Sequence, residues 1–264
     1  MFRRRVVSAI VLIPIVLGAT WLGTPWLTLL VAAASGGMAW EWARLIDRPA
    51  NRVNALLAIL LAAVSVLIAG FVAIWLGVII DIVGAVLIAR SLRHVPVLSR
   101  WALAGMIWVV LPCIAFVALR DTPHIGRATI GWILALVWTI DTAAYAAGRT
   151  IGGPKLAPRI SPNKTWSGLL GGVVAAMIVG VVTGWLTAPD HWWQTCILSG
   201  ALAVIEQAGD IAESFAKRRF GVKDSSTLIP GHGGLLDRLD GMLAVVAAVG
   251  LFSLATGVNI LTWH

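Results

Sequence analysis

The chain has 264 residues, of which 59% are hydrophobic and 12% are charged, and its formal net charge is +8. A water-soluble domain carries about 25% charged residues. The composition therefore excludes an ordinary soluble globular protein and indicates an integral membrane protein. Cys113 and Cys196 lie in separate apolar segments, which implies neither a disulfide framework nor a thiolate metal site.

Apolar segments separated by Gly, Pro and charged residues predict nine transmembrane helices, because ~20 apolar residues cross a hydrocarbon core about 30 Å thick. The predicted helices cover residues 6–22, 26–44, 54–70, 72–91, 102–119, 129–148, 168–187, 193–214 and 242–262. The apolar stretch 54–92 is too long for one crossing and is divided near Gly70. The predicted fold class is therefore all-α, a polytopic transmembrane helix bundle of about nine spans.

The basic residues orient this bundle, because short cytoplasmic loops carry an excess of Lys and Arg. With a cytoplasmic N-terminus, every Lys and Arg except Arg120 and Arg127 falls on the cytoplasmic side. We predict an N-terminal region, 1–128, with five spans, and a C-terminal catalytic region, 129–264. The second region carries two long polar cytoplasmic loops, 149–166 and 217–241, where we expect the chemistry to occur.

The eighth predicted helix carries acids on one face. Glu206, Asp210, Glu213 and Lys217 follow one another at helical spacing. Carboxylates within membrane helices are costly, so they are functional candidates by default. The structural alternatives are that Asp210 pairs with Arg218, and that Glu206 and Glu213 pair with arginines of neighbouring helices. We favour the structural role for Glu206.

The polar loop that follows combines three kinds of group. Glycines let backbone N–H groups approach a ligand, basic side chains supply positive charge, and aspartates supply hard oxygen ligands. These residues are Gly231, Gly233, Gly234, Lys217, Arg218, Lys223, Arg238, Asp224, Asp237 and Asp240. The combination predicts metal-assisted phosphoryl or nucleotidyl transfer. Aspartate oxygens are better ligands for Mg²⁺ than for Zn²⁺. We interpret His232 as a turn residue or a donor to phosphate rather than as a metal ligand.

This loop resembles the signature of the phosphatidate cytidylyltransferases, also called CDP-diacylglycerol synthases. The matching residues are Ser214, Lys217, Arg218, Lys223, Asp224, Pro230, His232, Gly233, Gly234, Asp237, Arg238 and Asp240. Residues 141–166 resemble a second block of the same family. Ala216 stands where a larger aliphatic residue is usual, and Ser167 stands where relatives often carry Glu or Gln. The specific resemblance covers about residues 129–241.

The resemblance implies a nucleotidyltransferase that joins CTP to phosphatidic acid, giving CDP-diacylglycerol and pyrophosphate in phospholipid biosynthesis. It implies Mg²⁺ bound by Asp210 and Asp237, and catalytic roles for Lys217, Arg218 and Asp240. The expected substrate-binding residues are Ser161, Lys164, Thr165, Ser214, Lys223, His232, Arg238 and Asp141. The resemblance also suggests a homodimer in the bacterial inner membrane with a cytoplasmic active site and no nucleic-acid partner.

Alternatives remain for single residues and for the whole chain. Lys164 could touch anionic lipid, Asp141 could be half of a buried ion pair, and Asp81 could be packed, hydrogen-bonded or protonated. Asp224 and Asp240 could brace an arginine of their own turn. A transporter is a rival function, but it predicts acids scattered along a midplane path. A CDP-alcohol phosphotransferase shares the motif D-x-x-D-G, which residues 237–241 match, but the rest of its motif is absent.

Overall fold

A computed structural model describes residues 2–46, 52–229 and 233–263, with side chains from residue 10 onward except at residue 52. Nine α-helices lie within these ranges: α1 Phe2–Leu22, α2 Trp26–Ile46, α3 Arg52–Phe71, α4 Ile74–Ser91, α5 Pro96–Arg120, α6 Gly126–Thr150, α7 Trp166–Thr187, α8 Trp192–Arg219 and α9 Leu236–Thr256. Each predicted helical segment overlaps one of them. The division of the stretch 54–92 is confirmed, because α3 ends at Phe71 and α4 begins at Ile74.

Two boundaries differ from the sequence prediction. Helix α8 continues to Arg219, so Lys217 and Arg218 belong to the helix and not to the following loop. Helix α9 ends at Thr256, and Ile260–Thr262 forms a separate 3₁₀ turn that Asn259 caps by accepting the Leu261 N–H. The sequence prediction had placed the end of this helix at residue 262, because the residues of that turn are mostly apolar.

A short β-ribbon interrupts the first polar loop, which the sequence prediction treated as irregular. Strands β1 (Lys155–Ala157) and β2 (Ser161–Thr165) pair antiparallel, with Lys155 opposite Thr165 and Ala157 opposite Ser161. Strands of three and five residues that carry prolines and polar side chains show too little alternation to be recognised from the sequence.

The helices support an integral membrane protein. Seven of the helices in the described ranges, α3 to α9, are long and apolar enough to cross a membrane. Helix α1 contributes the shorter apolar segment Ile10–Leu22. Helix α2 carries Glu41 and Arg44, which lower its hydropathy. The count of nine spans and the orientation of the N-terminus stay predictions.

By its internal contacts the chain divides into two compact units. The first unit comprises Met1–Asp121 and Arg219–Leu239, and the second comprises Thr122–Arg218 and Asp240–His264. The predicted boundary between an N-terminal and a catalytic region at residue 128 stays a prediction. The described parts of residues 219–239 belong to the same unit as the N-terminal helices, because Glu41 of α2 accepts hydrogen bonds from them.

Close helix packing characterises the first unit. Gly77 of α4 lies against the Ser65 carbonyl of α3, and Gly84 lies against Leu61. Asp81 lies between these two glycines in sequence and is fully buried. Neither of its carboxylate oxygens has a hydrogen-bond partner among the residues that the structure describes. Of the three sequence interpretations, the structure therefore favours a packed carboxyl over a hydrogen-bonded one.

Arg120, one of the two basic residues outside the predicted cytoplasmic segments, closes the end of α1 in the same unit. Its Nε donates to the Thr20 carbonyl over 2.6 Å, and its Nη2 donates to the Trp21 carbonyl over 2.9 Å. The last carbonyls of a helix have no partner within the helix and carry partial negative charge. The guanidinium group therefore caps α1 with both hydrogen bonds and charge.

In the second unit, α7 has one face of small residues and one of large residues. The buried small residues recur every fourth position at Gly168, Gly172, Ala176, Gly180 and Gly184. Gly172 lies against Ile140 of α6, whereas Gly180 lies against Thr195 and Ser199 of α8. Small residues at this spacing let membrane helices approach closely. The exposed large residues of the other face are Leu170, Val174, Ile178 and Val182.

Candidate active site

An ion pair in the second unit joins strand β2 to helix α8. Lys164 Nζ lies 2.5 Å from Asp210 Oδ2 and 2.9 Å from the Gln207 side-chain oxygen. The Ser214 hydroxyl donates to the other Asp210 oxygen, Oδ1, over 3.3 Å. The side chains of Lys164 and Asp210 are 15% and 27% exposed, so both remain within reach of a ligand. Three predicted site residues, Lys164, Asp210 and Ser214, are therefore brought together.

The backbone around Lys164 fixes its position. The pairing of β1 with β2 ends at Thr165, whose hydroxyl oxygen accepts the Gly168 N–H over 3.1 Å and caps α7. A Cβ at Gly148 of α6 would lie 2.9 Å from that hydroxyl oxygen, so α6 can approach the cap only because residue 148 is glycine. Thr165 thus has a structural role here, and its predicted substrate contact stays a prediction.

The acidic face of α8 contains a second, more buried ion pair. Lys217 Nζ lies 2.8 Å from Glu213 Oε2, and the two side chains are 11% and 0% exposed. The sequence alternative had assigned Glu213 an arginine from a neighbouring helix, whereas the structure gives it a lysine one turn later on its own helix. Separating a buried ion pair is costly. Lys217 is therefore a less available phosphate ligand than Lys164.

Further carboxyl groups lie around these pairs. Glu206 is 2% exposed, accepts the Gln207 amide N–H over 2.7 Å, and lies within the electrostatic influence of Asp141, Lys164 and Asp210. Asp240 lies within the electrostatic influence of Asp210 and Glu213, and its carboxyl group accepts the Gly241 N–H over 2.8 Å. We call this set the acidic cluster. Its members are Asp141, Glu206, Asp210, Glu213 and Asp240, with Lys164 and Lys217 as the two lysines among them.

The acidic cluster offers the type of oxygen donor that Mg²⁺ prefers, and a bound magnesium ion stays a prediction. Its donors are carboxylate oxygens, and its acids outnumber its lysines, so a bound cation would offset negative charge. Within the described ranges, no three Asp, Glu, His or Cys side chains are arranged to hold one ion. Mg²⁺ typically takes only one or two carboxylates and completes its shell with phosphate oxygens and water. Asp210, the partly exposed acid of the first ion pair, is the cluster residue that best fits this role.

Asp237 lies in the first unit, at the beginning of α9. Its two carboxylate oxygens accept the Ser225 N–H over 3.0 and 3.1 Å, and one of them also accepts the Gly234 N–H over 2.8 Å. Asp237 braces the loop backbone, and its joint binding of a cation with Asp210 stays a prediction.

Glu41 of α2 is a site-related residue that the sequence analysis missed. It is 0% exposed and accepts four hydrogen bonds from the loop of the first unit. The Ser225 and Ser226 hydroxyls donate over 3.3 and 2.5 Å, and the Leu235 and Leu236 N–H groups donate over 2.8 and 2.7 Å. In the sequence, Glu41 is a single glutamate between two tryptophans in an apolar helix. Because carboxylates within membrane helices are functional candidates by default, this position could have been identified from the sequence.

The predicted basic ligands differ in their surroundings. Arg218, Lys223 and Arg238 are exposed, and Arg218 Nε donates to the Ile160 carbonyl over 3.3 Å. Exposed cations suit an anionic ligand that arrives from water. Among the other predicted residues, Ser161 is half-buried on β2, Asp141 and Asp224 are exposed, and Pro230 and His232 lie outside the described residues.

Comparison with known proteins gives a consistent result. Residues 3–255 match the cytidylyltransferase family. A phosphatidate cytidylyltransferase of Brucella suis is 37% identical over 94% of this chain and 92% of its own length. Proteins of the same name from Haemophilus influenzae and Pseudomonas aeruginosa are 33% and 35% identical, over 96% and 97% of this chain and 98% of their own lengths. The similarity includes both polar loops and most of the helices.

Proposed function

The chain belongs to the cytidylyltransferase family, and from this membership we propose that it transfers the cytidylyl group of CTP to phosphatidate. The products are CDP-diacylglycerol and pyrophosphate, and the reaction is a step of phospholipid biosynthesis. The observation that carries this function is the similarity to proteins named phosphatidate cytidylyltransferase over at least 92% of their length. The chain is accordingly a nucleotidyltransferase enzyme.

The reaction needs no nucleophile from the protein. A phosphate oxygen of phosphatidate attacks the α-phosphorus of CTP, a new P–O bond forms, and the bond from the α-phosphorus to the bridging oxygen breaks. Pyrophosphate leaves with the electron pair of that bond. The work left to the protein is to position two anionic reactants in line and to stabilise the charge that develops on the leaving group.

Lys164 is the residue whose geometry suits this work best. An ammonium group has three N–H donors, and Asp210 and Gln207 hold two of them. The held ammonium can direct its remaining donor to a phosphate oxygen without an entropic cost at the time of reaction. Asp210 orients the Lys164 ammonium group until the nucleotide binds, and Ser214 in turn orients Asp210.

The family resemblance implies Mg²⁺, and the carboxylate donors of the acidic cluster fit it. Asp210 would hold the ion together with Asp237, and the bound ion would neutralise charge on the pyrophosphate group. Glu213 of α8 and Asp240 of α9 are close enough to interact electrostatically within the acidic cluster. The exposed Arg218, Lys223 and Arg238 would bind the triphosphate.

The activity is tested with purified protein, radiolabelled CTP, phosphatidate and Mg²⁺, by counting the label that becomes soluble in organic solvent. We expect lipid-soluble label that depends on phosphatidate and disappears with EDTA. Asp190→Asn, an exposed acid outside both loops, serves as the matched control and should retain activity. Wild-type protein that is folded and gives no lipid-soluble label would refute the function.

We further propose nine spans with a cytoplasmic N-terminus, an active site on the cytoplasmic side of the bacterial inner membrane, and a homodimer. The distribution of basic residues supports the orientation. Single cysteines at Asn163 and Leu228, both exposed, should react with an impermeant maleimide only from the cytoplasm, and one at Asp190 only from outside. Opposite accessibility at any of these positions would overturn this topology.

A further inference from the structure

In the loop between α8 and α9, carboxylates join two short segments, residues 225–226 and residues 234–236. We call these two segments the neck of the loop. Glu41 accepts hydrogen bonds from both of them. Asp237 crosses the same neck by accepting the Ser225 and Gly234 N–H groups. Beyond the neck, Ile229 and Gly233 pair as a single antiparallel bridge. The neck therefore fixes where the loop begins and ends.

The surroundings of Glu41 are specialised for a carboxylate. The side chain is 0% exposed, so the four hydrogen bonds replace the water that its oxygens would otherwise bind. A Cβ at Gly234 would lie 2.7 Å from Glu41 Oε1 and would also collide with the Ser225 hydroxyl. The loop backbone thus approaches the carboxylate more closely than any residue with a side chain would allow at that position.

The hydrogen bonds of Glu41 reach the active-site residues through the backbone. The Leu235 and Leu236 N–H groups that it holds directly precede Asp237, and Ser225 directly follows Asp224. A shift of Leu236 would move the Asp237 carboxylate with it. An active-site carboxylate must stay within about 0.5 Å of its productive position, which requires support from neighbouring groups.

We propose that Glu41 is a positioning residue, which closes the neck of the loop and thereby sets the position of Asp237 for the transfer reaction. The proposal rests on the proposed function for its catalytic part. Glu41 touches neither substrate nor the reacting atoms in this role. It acts through the backbone of residues 225–226 and 234–236, and a side chain with two accepting oxygens is needed because all four partners are donors.

The first test compares Glu41→Gln with wild-type protein by limited trypsin digestion and mass spectrometry. An amide has one accepting oxygen and turns an N–H₂ group toward the remaining donors, so the neck should open. We expect cleavage after Lys223 to become about tenfold faster, while cleavage after Arg159 in the other polar loop stays unchanged. Lys223 and Arg159 are both exposed, so Arg159 is an internal control in the same molecule.

The second test measures kinetics on the same proteins. For Glu41→Gln we expect kcat to fall about tenfold and KM for CTP to change less than about twofold, because the reacting groups are displaced while the exposed cations remain. Asp81→Asn, which alters another fully buried carboxyl of the same unit, should leave both values and the cleavage rate near wild type. A purely structural role would not produce this pattern.

Each outcome decides the proposal. A folded Glu41→Gln protein with unchanged cleavage after Lys223, or with unchanged kcat, overturns it. If Glu41→Gln does not fold, Ser226→Ala replaces it, because this variant removes one of the four hydrogen bonds and leaves Glu41 in place. It should raise cleavage after Lys223 about threefold and lower kcat, and no change in either overturns the proposal. If wild-type protein transfers no cytidylyl group, the proposed function fails, whereas the cleavage rates still report whether Glu41 closes the neck.

Discussion

The two polar loops are held in place by different means. In the second unit, residues 152–168 form their own backbone structure, with a β-ribbon, the Thr165 cap and a 2.5 Å hydrogen bond from the Ser167 hydroxyl to the Gly152 carbonyl. In the first unit, the described parts of residues 220–235 contain a single bridge, and two carboxylates outside this stretch, Glu41 and Asp237, hold its backbone.

The difference shows two ways to make a reactive loop rigid at a membrane surface. The β-ribbon, the Thr165 cap and the Ser167 hydroxyl hold the first of these loops without using the Lys164 side chain as a brace, so Lys164 can act on a ligand. Bracing by carboxylates gives one side chain two tasks, since Asp237 holds the loop and is also the expected cation ligand. In the loop with the β-ribbon, a mutation of Lys164 should therefore change activity without loosening the loop. In the loop between α8 and α9, a mutation of Asp237 should change both.

The largest effect is expected from Asp210→Asn and Asp237→Asn. Each should lower cytidylyl transfer by about 10²–10³-fold at saturating Mg²⁺, because each removes charge that the transfer step requires. Only Asp237→Asn should also speed trypsin cleavage after Lys223, because only Asp237 holds the loop neck. Radiolabel assays and digestion of the same preparations measure both quantities.

Two results would contradict this prediction. Wild-type turnover by either folded variant would remove that aspartate from the cation site. Equal acceleration of cleavage in both variants would mean that the two loops are not held by separate means.

A smaller effect is expected from Lys164→Gln and Arg218→Gln. Lys164→Gln should lower kcat/KM for CTP about tenfold, or ~1.4 kcal/mol, because the ordered ammonium is lost. Arg218→Gln should have a similar effect at low salt that shrinks as salt increases, because exposed charges are screened over about 8 Å at physiological ionic strength. Steady-state kinetics at two salt concentrations measure both.

Arg93→Gln is the control for this pair, since Arg93 is exposed and lies outside both loops. It should change kcat/KM little. Similar losses at all three positions would show that general positive charge, rather than a specific nucleotide site, explains the basic loops.

The smallest effect is expected from Thr165→Ala. Loss of the helix cap should destabilise the protein by about 1 kcal/mol, which a lower thermal unfolding midpoint would show. Thr165→Ser keeps the accepting oxygen and should remain near wild type. A lower kcat/KM in a Thr165→Ala protein of unchanged stability would instead support the predicted substrate contact.

The sequence predicted the helices well because each one shows a long apolar stretch between breakers, and the acids of α8 because helical spacing placed them on one face. The sequence could not predict that Lys164 pairs with Asp210, because the two residues lie 46 positions apart. The β-ribbon that positions Lys164 also lacks the alternation of apolar and polar residues by which a strand is recognised. Glu41 was missed for a related reason. Its partners lie 184–195 positions later, and only the folded chain brings them to it.

The cap that Arg120 places on α1 also has a consequence for biosynthesis. Arg120 is made 100 residues after Thr20, its hydrogen-bond partner. At typical rates of 5–20 residues per second, the ribosome supplies this arginine about 5–20 s after α1 is complete. A nascent chain that ends before residue 120 thus holds α1 with its last carbonyls exposed to water or lipid headgroups. The first helix to be synthesised is therefore capped at its C-terminal end only after the fifth helix has been synthesised.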